Sequence, residues 1–243
     1  MDTLSDLRSA LQSDLSVNEN SSLFPPDTID AAINRAYVSK AARLFRWPKL
    51  EDSKTTASQA NIENYDLPDG DNSTNPWSID SAWRLEVDGD YYGEAPDYSP
   101  MVFQDYLDWK ADDLNANSTK KKWAVHGHQV FIYPTPTTAG LVINMWGQKV
   151  APKLDDDTDT TIFSYTMPEG NEAILLEAKA ILKHKGEDEK AGEFFSIEAK
   201  QILSVAFNKI KQEQAKYEKT QPMFNVRDMF GRTKTSDIIG DFS

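Results

Sequence analysis

Cysteine is absent from the 243 residues, which excludes disulfide scaffolds, thiolate zinc sites and cysteine nucleophiles together. Positive charge is scarce: 26 lysines and arginines stand against 39 aspartates and glutamates, a net charge of −13. A protein that coats nucleic acid by neutralising phosphates needs the opposite balance. Histidine occurs three times, at His126, His128 and His184. A metal site wants three or four ligands, and no third donor stands near the first two. Long apolar runs are missing as well. The most apolar stretch, Ala173-Ile174-Leu175-Leu176, is cut by Glu177 and Lys179, far short of the ~18 residues a membrane helix needs. The start, Met1-Asp2-Thr3-Leu4-Ser5-Asp6, has neither the positive nor the apolar region of a secretory signal. A soluble protein made inside the cell, with no membrane partner, is the expectation.

Catalytic motifs are equally sparse. There is no Gly-x-Ser-x-Gly elbow and no Gly-rich phosphate loop. Asp155, Asp157 and Asp159 imitate the start of a calcium loop, but Thr160 and Thr166 stand where the glycine and the bidentate glutamate belong. They read as a solvated acidic loop, as does Asp69-Gly70-Asp71-Asn72. No catalytic residue, metal or cofactor is expected.

What is present suffices for a core. Hydrophobic residues make up 39% and aromatics 11%, above the range of disordered chains. The length allows one large domain or two small ones. Leu4, Leu7, Leu11 and Leu15 form one stripe of a short helix capped by Asp2 or Thr3. Pro25-Pro26-Asp27-Thr28 opens a second, with Ile29, Ile33, Ala36, Tyr37, Ala41 and Leu44 as its stripe and Pro48 as its stop.

Between about Lys54 and Tyr165 the period changes from 3.6 to 2. Trp83, Leu85 and Val87 alternate up to an Asp88-Gly89 hairpin turn. Trp123 and Val125 lead to a turn at His126-Gly127-His128, and Val130–Tyr133 returns until Pro134-Thr135-Pro136. Leu141, Ile143 and Met145 alternate on a further strand, and Ser99-Pro100 starts a short helix through Phe103 and Leu107. Two helices follow. Ala173–Lys185 buries Ile174, Ala178, Ile181 and Leu182, with Gly186 just past its end. A longer one, from Glu187 to about Tyr217, carries Phe195, Ala199, Ile202, Ala206 and Ile210, with acids at its start and lysines near its end. The fold class is α+β: a bundle from N- and C-terminal helices (1–50 and 166–218), an inserted antiparallel β domain (51–165), and an extended tail (219–243).

Three features bear on function. All six tryptophans fall in the first 146 residues, as core filling or, in the alternative, as a sugar-stacking platform. Lys120-Lys121-Lys122 is a solvated edge. Residues 61–98 hold Glu63, Asp66, Asp69, Asp71, Asp80, Glu86, Asp88, Asp90, Glu94 and Asp97 against Arg84 alone, a net −9. Such a surface repels DNA backbone, meets a basic partner, or merely solubilises. The tail carries Met223, Phe224, Val226, Met229, Phe230, Ile238, Ile239 and Phe242, more large apolar side chains than an exposed segment ordinarily keeps without a docking surface.

The run Trp123-Ala124-Val125-His126-Gly127-His128-Gln129-Val130-Phe131-Ile132-Tyr133-Pro134-Thr135-Pro136 resembles the strand–turn–strand ending in Pro-x-Pro of phage head-to-tail adaptor proteins. The strand to Trp146, the segment Val150-Ala151-Pro152-Lys153-Leu154 with its aspartate-rich linker, the helix Glu172–Ala180 and the early helix Ile29–Tyr37 are similar too. Together they cover most of residues 25–217.

The resemblance implies a non-enzymatic structural protein at the neck of a tailed virion. It would form a ring of twelve copies beneath the portal and extend the DNA channel toward the tail, with helices facing the portal. Its implied partners are the portal protein, neighbouring copies, a tail or nozzle protein and a fibre protein, while DNA passes without specific binding. The eight apolar tail residues would dock on the portal or an adjacent subunit. Two readings from other classes stand beside it: a carbohydrate-binding or fibre-anchoring β module on a helical stalk, and a hydrolase with an unrecognised carboxylate pair.

Overall fold

The computed structural model describes residues 3–16, 24–69, 75–78, 81–93, 100–112, 115, 119–186 and 188–220, with side chains in the last helix through Glu213. Thr3 opens helix α1 (Leu4–Leu15): its hydroxyl accepts from the Asp6 amide while the Asp6 carboxylate accepts from the Thr3 amide. This reciprocal cap satisfies two donors that every helix start leaves over. Leu4, Leu7 and Leu11 are buried. Helix α2 (Pro26–Asn34) has proline in its first turn, where no hydrogen bond is lost. It passes into a π-helical stretch, Arg35–Ala41, and a last α turn, α3 (Ala42–Leu44). Arg8 ties these pieces together, donating to both Asp30 carboxylate oxygens at 2.7 Å and pairing with Asp157 at 2.9 Å.

The β section is a sandwich of two antiparallel sheets. One has the order β1 (Glu51–Ala57), β7 (Val142–Gln148), β3 (Arg84–Val87), β4 (Asp90–Tyr92); the other is β2 (Asn64–Asp66), β6 (Gln129–Tyr133), β5 (Lys122–His126). The register pairs Glu51 with Gln148 and Arg84 with Trp146 in the first sheet, and Trp123 with Ile132 in the second. Leu85, Val87, Tyr92, Ile143 and Met145 from one sheet and Tyr65, Trp123, Val130 and Ile132 from the other share one buried cluster. Most alternate with outward neighbours, as a period of two requires, but on β5 Lys122 and Ala124, on either side of Trp123, are buried as well. Asp88 and Gly89 both take positive φ, 51° and 85°, the geometry of a two-residue hairpin turn. Gly147 is held by Trp77, whose ring carbons would lie 2.1 Å from an added Cβ.

Helix α4 (Phe103–Ala111) begins three residues after the proline expected to start it, runs through Phe103 and Leu107 as expected, and buries Tyr106. The connector after β7 returns to the helices: Leu4 donates to the Asp159 carbonyl, and the Phe163 ring lies edge-on to Tyr37 and Trp47. Helix α5 (Pro168–Lys185) starts five residues earlier than its apolar stripe suggests, again with proline in the first turn. Gly170 sits so near Phe163 that a Cβ would come within 2.4 Å of it. Contacts of α1 with α2 and α5, and of α2 with α5, complete the bundle. Helix α6 (Glu189–Thr220) follows, with Gly192 against the His184 ring of α5.

The chain divides into two compact units, 1–203 and 204–243, and the division falls within α6. Helices before and after the sheets with a β insertion give the expected α+β fold. Lys219 and Thr220, placed in the tail by the sequence pattern, are helical. Residues 221–243, and with them Met223, Phe224, Val226, Met229, Phe230, Ile238, Ile239 and Phe242, lie outside the described residues.

Candidate interaction surfaces

The second helix of the bundle builds the most distinctive surface. A π turn holds more residues than an α turn, so the seven-residue π stretch sets the side chains after it back by roughly a third of a turn. Ala36, Tyr37, Ala41 and Ala42 stay buried, whereas Leu44, which continues the stripe at ordinary helical spacing, is 41% exposed. Arg43 is turned outward with it. Two grooves meet at this pair. One, about 200 Å³, lies among Lys40, Leu44, Ala173, Glu177, Lys200 and Leu203. The other, about 560 Å³, lies among Leu44, Phe45, Arg46, Trp83, Pro100 and Gln148. Arg43 lines both.

The charge here is opposite to the molecule's. Residues 31–50 contain Arg35, Lys40, Arg43, Arg46 and Lys49 and no acid. Arg46 lies 3.6 Å over the Trp83 ring and pairs with Glu51 at 2.8 Å. Lys40 stands 3.9 Å from Glu177, a buried carboxylate on α5. No carboxylate among the described residues pairs with the exposed Arg43. Apolar period alone does not reveal this patch; the run of five cations without an acid over residues 31–50 does.

The expected acidic surface is partly neutralised from within. Glu63 accepts from the Tyr106 hydroxyl and pairs with Lys110; burial and that carboxylate push the Tyr106 hydroxyl pKa well up. Asp90 pairs with Lys121, and Asp66 accepts from Gln129 at 2.9 Å. Asp88 is exposed at the hairpin turn, Glu86 is half-buried on β3 and Asp69 half-buried in a loop. Asp71, Asp80, Glu94 and Asp97 lie outside the described residues. Two aspartates of the calcium-like loop have partners within the chain. Asp159 accepts from the amides of Asp155 and Asp156, which lower its pKa, and Asp157 pairs with Arg8.

Large apolar side chains are exposed at several places, among them Val102 before α4, the helix α6 and the turn before α5. Phe194 and Ile197 are 63% and 56% exposed, and Val205, in the second unit, is 57%. At 100° per residue Phe194 and Ile197 fall about 60° apart, a second stripe distinct from the inward Ala199 and Leu203. Tyr165 is 74% exposed and held at φ 68°, an unusual conformation for an aromatic residue.

Little of this invites chemistry. Trp47, Trp77 and Trp123 are buried, Trp83 and Trp146 lie under the guanidinium groups of Arg46 and Arg84, and Trp109 meets Tyr133 edge-on. A flat aromatic platform open to a sugar ring is not among these arrangements. His126 stacks on Phe103 at 4.5 Å. Among the described residues no three metal-ligating side chains converge, and no helix is long and apolar enough to cross a membrane.

A family model described as SU10 adaptor protein matches residues 2–222. No curated protein matches the chain.

Proposed function

Because the chain belongs to the SU10 adaptor protein family, a family of phage head–tail adaptors, we propose that it is the coupling ring between the portal vertex and the tail. The single observation that carries this reading is the family match over 2–222, which takes in both helical segments and the whole β sandwich. Copies assemble side by side into a closed ring of twelve, bundle helices toward the portal and sandwich toward the tail, so that the ring extends the DNA channel. The tail protein or nozzle and the fibres attach on the sandwich side. No bond is made or broken.

Three features support the arrangement. The outer stripe of Phe194 and Ile197 on α6 is an apolar helix face of the kind that packs between neighbours. The excess of carboxylates suits a channel wall, because DNA phosphates must slide past without being held. The apolar residues after α6, beginning with Met223, Phe224, Val226, Met229 and Phe230, dock on the portal or an adjacent subunit. Each contact is weak alone and becomes secure when neighbours raise the effective concentration.

The test is electron microscopy of the chain mixed with its cognate portal. A ring of uniform symmetry stacked on the portal is the expected image. Portals that stay bare at saturating concentrations of this chain would overturn the reading.

A further inference from the structure

Of the surfaces described, the paired grooves around Arg43 are the most specific chemically, because they join cations and apolar walls on an otherwise acidic molecule. We propose that they receive the segment Ser236–Phe242 of a second copy of this chain. The inference rests on the ring reading above and names one of its contacts.

The walls decide what fits. Lys40, Arg43 and Arg46 supply positive charge, and Leu44, Leu203 and Trp83 supply apolar surface. The matching ligand is a peptide that places carboxylates beside large apolar side chains. Lys40 and Arg46 already have one carboxylate each, at 3.9 Å and 2.8 Å, whereas Arg43, between the grooves, has none among the described residues. Arg43 is therefore the anchor point, and its flat fork suits a carboxylate better than an ammonium would.

The occupant is argued from the rest of the sequence. Glu63, Asp66 and Asp90 of the acidic block already have partners within the sandwich. Ser236-Asp237-Ile238-Ile239-Gly240-Asp241-Phe242 carries two carboxylates, three large apolar side chains and no cation. Asp237 and Asp241 stand about 13 Å apart in an extended chain, a spacing that lets one meet Arg43 and the other a cation further along, with Ile238 and Ile239 between them. The residues between Thr220 and Ser236 span up to about 55 Å when extended, enough to reach a neighbouring subunit. A groove on one copy filled from the next is a head-to-tail contact, and such contacts close into rings when the rotation fits. The cluster Met223–Phe230 is left for the portal.

Two measurements test this. In the first, a fluorescent peptide of residues 235–243 is titrated against the full chain carrying Asp237→Asn and Asp241→Asn, whose own segment no longer competes. Saturable binding is expected, weakened roughly tenfold or more when Arg43→Glu is added, and weakened when salt rises from about 0.05 to about 0.5 M. Because Arg43 is exposed, that variant folds, as far-UV circular dichroism checks. Absence of binding, or equal affinity with Arg43→Glu, would overturn the proposal.

In the second, Phe242 is replaced by a photoreactive benzoylphenylalanine in a light chain mixed with isotopically heavy wild-type chain, in the presence of portal. Crosslinks from position 242 of the light chain to residues 40–46 of the heavy chain are expected. Crosslinks confined within one chain, or to portal alone, would overturn it. Light-to-heavy crosslinks in a mixture that forms no ring on the portal would support this contact while removing the adaptor reading.

Discussion

Tyr37 concentrates the energetics of the bundle in one side chain. It is fully buried on the π stretch, its ring meets Phe163, and its hydroxyl accepts from the Ile162 amide at 3.1 Å. Burial pushes its pKa up to about 12, against about 10 in an unfolded chain. A raised folded-state pKa means that the native state holds the proton more tightly, so the stability it contributes is complete below pH ~10 and is lost as pH rises toward ~12. Urea midpoints measured across that interval are expected to fall, with Tyr106, shifted the same way, adding to the slope. Tyr37→Phe leaves a buried amide unpaired, which costs about 1–3 kcal/mol at neutral pH, and it makes the alkaline decline shallower. A decline of unchanged steepness would show that Tyr37 does not titrate there. Gly147→Ala drives a methyl into the Trp77 ring and is expected to cost about 1–3 kcal/mol by denaturant unfolding.

Elements carry the next level of organisation. The Thr3–Asp6 cap fixes where α1 begins, and its first turn lies against the connector through the Leu4-to-Asp159 bond. Thr3→Ala is expected to lower stability by about 1 kcal/mol, read from the unfolding midpoint. The π stretch has a different consequence: it keeps the inner stripe on the bundle while turning Arg43 and Leu44 out. Helix α6 presents two stripes, one inward and one exposed. Phe194→Glu together with Ile197→Glu leaves the inner stripe untouched, so near-native circular dichroism is expected alongside loss of ring particles on the portal in micrographs. Intact rings from this variant would place the subunit interface elsewhere.

At the scale of the whole molecule, charge is divided unevenly. Residues 31–50 are basic within a chain of net charge −13, and the basic stretch borders grooves while the paired acids of the sandwich, Glu63 and Asp90, are half neutralised. Truncation after Thr220 removes all eight apolar tail residues. Co-sedimentation with portal is expected to fall at least roughly tenfold on that deletion, with the described fold unchanged. Undiminished binding would mean that the helices alone hold the contact.

The order helix–sheet–helix, the Asp88-Gly89 and Gly127-His128 hairpins and most of the buried stripes could be read from the chain alone, because those features are written in local period and turn chemistry. It also carried the family, through the strand pair ending at Pro134-Thr135-Pro136 and the helices around it. Strand β1 was not legible: Glu-Asp-Ser-Lys-Thr-Thr-Ala has no apolar alternation, and only pairing with β7 makes it a strand. The first turn of α5 was not legible either: it precedes the apolar stripe, and its Gly170 packs on Phe163, a neighbour in space. The Arg43 grooves were decided in tertiary structure alone. They require the π-helical offset of one segment, the approach of α5 and α6 on one side and of Trp83 on the other, none of which is encoded within any single window of the chain.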